Sequence, residues 1–440
     1  MKKIIISICV CCVALSCMLG NIVAQAKNNL SFGQANVEAG LNCDFSILSK
    51  EDKASCLIKT NSDEISGVWI SLPALDSFSN LDKAHVDFEL FIDGETGVYT
   101  EAKIVDNTKN VVDSGFEKNT WHNINFDATV YERNGVKCVF IGVIVGEGEN
   151  FYVANVKASS DTYSLSNCFD GDILWQVEAG RIQLEGYVWV TTSGKLIVID
   201  GGDSADAERL LKLIRTYKNE VDAWFISHFH SDHVGALIQI LNEENIYIKN
   251  LYFDFEVDDE VQSTDGEFSY TNKLDTAIQE NRQKLGNVVS TKKGDVFTFD
   301  RLTFKVLNDA FFGSKVNLGN DSSVVFKVET AGKSVLFLGD LAQYGDVLIE
   351  DEYFLNEAKT CEIVQMAHHG QNGVNDDFYR QLTGMEVCLY PAPAWLFNCD
   401  ATGVGINSSP EFKSLKTRAL MRELGVRYSF SSENGRIKLG

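Results

Sequence analysis

The 440-residue sequence predicts two domains of different class, an all-β sandwich followed by a layered α/β domain. Residues 28–160 read as short alternating apolar runs without helical periodicity. From 168 onward strands alternate with helices. One of those later strands runs straight into a turn crowded with histidine and aspartate.

The first residues carry Lys2 and Lys3, an apolar stretch from Ile4 to Leu19, and the small-x-small end Ala24-Gln25-Ala26. That is the pattern of a secretory signal over 1–26. Ala14-Leu15-Ser16-Cys17 loosely resembles a lipobox, so a lipoprotein anchor competes with free secretion, as does a retained membrane anchor. No later window approaches the ~18 continuous apolar residues a spanning helix requires. The expectation is a secreted or cell-surface protein with no transmembrane segment after signal cleavage.

The formal net charge is −23, and loss of 1–26 would remove two further lysines and no acid. Such a surface repels polyanions and weighs against tight, sequence-independent binding of nucleic acid. Four of the eleven cysteines lie in 1–26, leaving Cys43, Cys56, Cys138, Cys168, Cys361, Cys388 and Cys399. An odd number without a C-x-x-C supports neither a zinc ribbon nor a full disulfide framework. A Cys43–Cys56 bridge is the one pairing considered, against the blander reading of buried thiols.

Within 28–160, Gly67 to Leu72, Ala84 to Ile92 and Val136 to Val145 are expected strands, spaced as in an antiparallel sandwich. The stretches Trp121-His122-Asn123-Ile124-Asn125-Phe126 and Phe151-Tyr152-Val153-Ala154-Asn155-Val156 resemble the last strands of galactose-binding-like jelly rolls, which implies a glycan partner. Lone His85 and His122 read as structural residues, and Trp69 and Trp121 as core before carbohydrate platforms.

After a linker near 159–167, Lys195 to Ile199 is a strand ending in Asp200-Gly201-Gly202, and a helix follows over about 205–219. Val221 to Ile226 is a buried strand. Immediately after it comes His228-Phe229-His230-Ser231-Asp232-His233, then a helix from Val234 to about Leu241. A polar helix is expected over 272–285. Strands follow at 296–299, 303–307 and 323–328, and a turn at Ala331-Gly332-Lys333 leads to 334–338 and Gly339-Asp340.

The histidine run sets nitrogen and oxygen donors on both sides of one tight turn, the mixed set that borderline metals such as zinc prefer. With 7 histidines in 440 residues, three at these offsets would arise by chance only roughly 0.002 times. Five of the seven sit either in this run or in His368-His369, and both groups follow apolar strands, whose ends are where a layered fold gathers a site.

Asp200-Gly201-Gly202, the H-x-H-x-D-H run, Leu338-Gly339-Asp340 and Ala367-His368-His369-Gly370 occur in the order seen in the metallo-β-lactamase superfamily, which the chain resembles from about Gly171 to Gly440. The tail resembles the hydrolase domain of the DNA-uptake channel ComEC. The residues concerned are Asn320-Asp321-Ser322-Ser323-Val324-Val325, Phe337 to Asp340, His368-His369-Gly370, and Gly425 to Ile437. Secreted phosphorylcholine esterases are a second similar branch.

The resemblance implies an αββα sandwich holding up to two metals at its rim. His228 and His230 would hold one, Asp232, His233 and a histidine of the 368/369 pair the other, and Asp340 would bridge them. His368 is preferred as the ligand. Asp200 would prop the site, with a turn or helix cap as the equally weighted alternative. No histidine lies between His233 and His368, so the third imidazole that completes the first position in many relatives is missing. An oxygen from Asn320-Asp321 is the candidate replacement, and harder donors would shift preference from zinc toward manganese.

The expected function is metal-dependent hydrolysis of a small or cell-surface phosphodiester or related ester by a metal-activated water, which Asp232 or Asp340 orients. Whichever of His368 and His369 is not a ligand, His369 on the stated preference, protonates the leaving group. One alternative is an inactive surface binding protein whose sandwich holds glycan. Another is a lactamase or thioesterase-type acyl hydrolase. Trp395 and Phe397 are read as packing residues before pocket residues.

Overall fold

The computed structural model describes residues 30–32, 35–61, 65–80, 82–106, 111–144, 149–159, 168–180, 182–255, 265–397, 399, 412–432 and 437–439. The expected signal over 1–26 and most of the expected linker fall outside the described residues. The chain divides into two compact units, 1–163 and 164–440.

The first unit holds β1 (Leu30–Phe32), β2 (Ala35–Leu41), β3 (Cys43–Lys50), β4 (Lys53–Thr60), β5 (Ser66–Ser71), β6 (Lys83–Ile92), β7 (Tyr99–Val105), β8 (Val111–Glu117), β9 (Trp121–Thr129), β10 (Tyr131–Arg133), β11 (Val136–Ile144) and β12 (Asn150–Ser159). They form two antiparallel sheets, ordered β1-β2-β5-β11-β7-β8 with β10 on β11, and β3-β4-β12-β6-β9. Side chains alternate across each strand, so β9 buries His122, Ile124, Phe126 and Ala128 and turns the intervening residues outward. Val68, Ile104 and Val139 of one sheet and Ile58, Phe88 and Val153 of the other belong to one buried cluster.

His85 and His122 are tied down locally. His85 Nδ1 lies 2.9 Å from Asp127 Oδ1, and His122 Nε2 lies 2.8 Å from the Glu117 carbonyl. Trp69 packs on Tyr131 and Phe140, and Trp121 on Phe91. In the β3–β4 ladder Cys56 faces Ile47 while Cys43 faces Thr60, so the considered bridge is out of register. All seven cysteines among the described residues are free thiols.

The second unit holds β13 (Ile173–Gln176), β14 (Gly186–Val190), β15 (Leu196–Asp200), β16 (Glu220–Val221), β17 (Ala223–Phe225), β18 (Tyr247–Phe253), β19 (Leu285–Ser290), β20 (Val296–Phe299), β21 (Leu302–Val306), β22 (Phe326–Glu329), β23 (Val335–Phe337), β24 (Ile363–Gln365), β25 (Val387–Tyr390), β26 (Tyr428–Ser431) and β27 (Ile437–Leu439). One sheet runs β16-β18-β17-β15-β14-β13-β27 with β19 on β18, the other β20-β21-β22-β23-β24-β25-β26. Their inner faces meet through Phe225 stacked 4.6 Å from Phe304 and Tyr187 5.0 Å from Phe337. Helices Ala207–Tyr217, Ser231–Glu243 and Ser269–Glu280 share a buried cluster with the first sheet. Glu352–Ala358, Asp376–Gln381 and Ser414–Glu423 do so with the second. The layers are therefore αββα, as expected.

Two of the boundaries that differ from the sequence reading have a visible cause. The helix expected from Val234 starts at Ser231, because Glu267 Oε2 accepts the Ser231 N–H at 2.7 Å and caps an end that has no apolar periodicity. The helix expected over 272–285 ends at Glu280, because 285–290 are taken into the sheet beside β18.

Candidate metal centre

The pieces of the centre sit at the carboxyl ends of neighbouring strands. Asp200 closes β15, Ser227 and the histidine run follow β17, Asp340 follows β23, and His368 and His369 follow β24. β15 pairs parallel with β17, and β23 with β24, so four chain crossings deliver their ends to one rim.

Two donor groups result. Asp232, His233, Asp340 and His369 form one, and His228, His230 and Asp340 the other, with all donor atoms in each group inside 4.8 Å. His369 Nε2 lies 3.0 Å from Asp232 Oδ2 and 3.5 Å from Asp340 Oδ2, and His233 Nε2 lies 3.3 Å from Asp340 Oδ1. His228 Nε2 is 3.9 Å from Asp340 Oδ2.

This geometry brings His369, and not the preferred His368, into the four-donor group. His369 is fully buried in the four-donor group, whereas the His368 side chain is 23% exposed, with Nε2 3.8 Å from Asp340 Oδ2. The cause is local. His368, His369 and Gly370 all have positive φ (51°, 58° and 79°), so the chain leaves β24 in a left-handed turn that swings the second imidazole inward. Gly370 is required there, since a Cβ would meet the Tyr390 ring at 2.4 Å. His368 is thereby left beside the four-donor group at the rim, with burial holding its pKa below the ordinary imidazole value.

Each ligand ring is steered by its other nitrogen. His233 Nδ1 lies 2.9 Å from Asp200 Oδ2, and Asp200 also accepts the Ser227 N–H and hydroxyl, each at 2.7 Å. His369 Nδ1 donates to the Pro391 carbonyl at 2.8 Å, and His228 Nδ1 lies 3.2 Å from Ser227 Oγ and 3.3 Å from Ser323 Oγ. Asp200 thus props the site through His233. Of the Asn320-Asp321 pair, Asp321 Oδ1 accepts the Tyr344 N–H at 2.8 Å, whereas Asn320 Oδ1 is buried without a hydrogen-bond partner.

The electrostatics follow from burial and crowding. Burial pushes the His228 pKa well below its ordinary value. Burial also opposes charge on His233 and His369, yet Asp340, aided by Asp200 at the one and Asp232 at the other, holds both far above the usual imidazole range. Asp232 resists its own burial because His369 and His233 hold its pKa down at about 2.

The residues present fit a metal. His228 Nε2 is buried without a hydrogen-bond partner, and His233 Nε2, His369 Nε2 and Asp340 Oδ1 are buried without an aligned one, facing only each other and Asp232 at 3.0 to 3.5 Å, a cluster that a cation would satisfy. Imidazole plus carboxylate is the donor set of zinc and its neighbours.

Two supporting residues went unread in the sequence. Gln365 accepts the Leu338 N–H at 2.6 Å and donates to the Gly339 carbonyl at 3.1 Å, pinning the loop that carries Asp340. It also donates to Glu185 at 3.1 Å, a carboxyl that burial pushes well above its ordinary pKa. Neither residue belongs to any spacing pattern, so nothing local marks it.

Residues 186–386 match the family model of the metallo-beta-lactamase superfamily. Curated hydroxyacylglutathione hydrolases of Salmonella paratyphi B and Salmonella newport are each 36% identical over 59 residues, which is 13% of this chain and 22% of those relatives. Among solved structures, the metallo-beta-lactamase fold protein YhfI from Bacillus subtilis aligns at 12% identity and a TM-score of 0.39, covering 61% of this chain and 99% of its own. Zn(2+)-bound PqqB from Methylobacterium extorquens aligns at 8% identity and a TM-score of 0.37, covering 61% and 99%.

Proposed function

Residues 186–386 form a metallo-β-lactamase superfamily domain, and from that premise we propose that the chain is an exported hydrolase of phosphodiesters or related esters. The observation that carries the reading is the convergence of four imidazoles and two carboxylates on one strand-end rim, with buried nitrogens lacking any other partner. The His228, His230 and Asp340 group would hold one cation, and Asp232, His233, His369 and Asp340 the other. Bound cations supply Lewis acidity, making water nucleophilic near neutral pH and polarising the ester oxygens.

The chain's own residues supply the rest. Asp232, 19% exposed, presents a carboxylate at the open side and orients the incoming water. His368, 23% exposed, stands beside Asp340, and because burial lowers its pKa it would meet substrate near neutral pH as a neutral hydrogen-bonding ring, passing a proton to the departing oxygen only below that pH. Asp200, Ser227 and the Pro391 carbonyl fix ring orientations before substrate arrives. The ComEC-like residues of the tail, and the likeness in architecture to secreted phosphorylcholine esterases, support a phosphodiester. The net charge of −23 supports a small or zwitterionic substrate over a long polyanion.

A second reading, thioester hydrolysis, draws support from the 59-residue likeness to hydroxyacylglutathione hydrolases. Purified protein loaded with zinc or manganese, assayed against bis-p-nitrophenyl phosphate, a glutathione thioester and nitrocefin, separates the readings. Phosphodiester turnover abolished by His230→Ala, with thermal unfolding unchanged, is expected. Thioester turnover alone would install the second reading, and turnover surviving in His230→Ala would refute the site.

A further inference from the structure

His228, His233 and His369 are each held through Nδ1, which leaves Nε2 toward Asp340. His230 is held the other way round: its Nε2 lies 3.1 Å from Asp265 Oδ2. A carboxylate at that nitrogen fixes the proton there and leaves the Nδ1 lone pair for the group shared with His228 and Asp340.

Asp265 is itself anchored on several sides. Its Oδ2 also accepts the Gly319 N–H at 2.9 Å, its Oδ1 accepts the Glu267 N–H at 2.9 Å, and Glu267 Oε2 caps Ser231. Residues 265–267 are therefore stitched to both ends of the His230-Ser231 step. The helix Leu318–Asp321 closes over the same pair: a Cβ on Gly319 would stand 2.0 Å from His230 Nε2 and 2.7 Å from Asp265 Oδ2. Glycine at 319 is what permits this approach.

Resting on the metal reading above, we propose that Asp265 is the positioning residue of the first cation position. It holds His230 by Nε2 so that Nδ1 faces the cation. In this way the position remains usable with two imidazoles, although no histidine occurs between His233 and His368. Asp265 fills no coordination place of its own; it strengthens and orients one of the two rings that are present.

The test is calorimetric titration of the full metal-free chain with zinc and with manganese, for wild type, Asp265→Ala and Asp265→Asn, alongside thermal unfolding. Wild type is expected to bind two equivalents. Asp265→Ala should keep one at wild-type affinity and bind the other about 10- to 100-fold more weakly. Asp265→Asn, which retains an acceptor oxygen, should recover part of that loss and carries the test if the alanine variant does not fold. Wild-type binding of both equivalents in Asp265→Ala would overturn the proposal. So would equal weakening of both, which would make Asp265 a general support of the fold. A wild type that binds no cation would instead overturn the metal reading itself.

Discussion

Asp200 offers the sharpest test of how the centre is held together. Its fully buried carboxylate accepts three hydrogen bonds, from the Ser227 N–H, the Ser227 hydroxyl and His233 Nδ1. Its φ of 51° lies in the left-handed region. Truncation to alanine strands buried donors, each costing about 1–3 kcal/mol, and places a residue with no polar side chain where the backbone penalty is about 1 kcal/mol. Part of this is recovered, since Ser227 Oγ already lies 3.2 Å from the rings of His228 and His233 and can turn to them. The expected net loss is about 3–5 kcal/mol, the range for breaking one side of a buried charged pair. Asp200→Asn keeps an acceptor and tolerates the backbone, so it should lose about 2 kcal/mol. Urea unfolding of metal-free protein measures both, and zinc titration should show 10- to 100-fold weaker binding in the folded asparagine variant. An alanine variant within about 1 kcal/mol of wild type would refute the claim that this carboxylate organises the site.

Three further outcomes are expected. Gly235, inside the helix Ser231–Glu243, would place a Cβ 2.7 Å from the Ser204 nitrogen and 3.0 Å from Asp203 Cα. Gly235→Ala should therefore destabilise by about 1–3 kcal/mol in thermal melts, despite the roughly 1 kcal/mol that alanine gains in helix propensity. His85 has its pKa raised from 6.5 to about 9 by Asp127 and Asp87. That stabilisation is complete below about pH 6.5 and is lost as pH rises through about 9. Because the Asp87 side chain is 53% exposed, screening cuts the contribution to about 1–2 kcal/mol. Unfolding at about pH 6 and about pH 9.5 should show this loss in wild type but not in His85→Gln. Finally, burial opposes charge on His233 and His369 but Asp340 raises both above the imidazole range, so an incoming cation must displace their protons. Apparent zinc affinity measured by competition with a chelator should fall with each unit of acidification, by up to about 100-fold if two protons are released. A flat profile would contradict protonated rings.

What the sequence disclosed was whatever is encoded by short spacing. The H-x-H-x-D-H run, the Asp200 and Asp340 strand ends and the alternation in β6 and β9 depend on neighbours within a few residues, so they could be read along the chain. The choice between His368 and His369 depends on two consecutive left-handed residues, a conformation that no residue type there announces. The start of the helix at Ser231 depends on Glu267, and the orientation of His230 on Asp265, each 35 or more positions away. Gln365 and Glu185 were invisible for the same reason: they face each other across 180 positions.

Asp340 belongs to both donor groups, so the two positions are not separate compartments. A cation drawn to one carboxylate oxygen withdraws electron density from the other and adds a positive neighbour, so the second arrival meets a poorer donor and a repulsive field. Filling should proceed in sequence, with a half-loaded species populated over a broad range of metal concentration. Asp340→Asn should then lower the occupancy of both positions together, behaving as a single lesion with two symptoms.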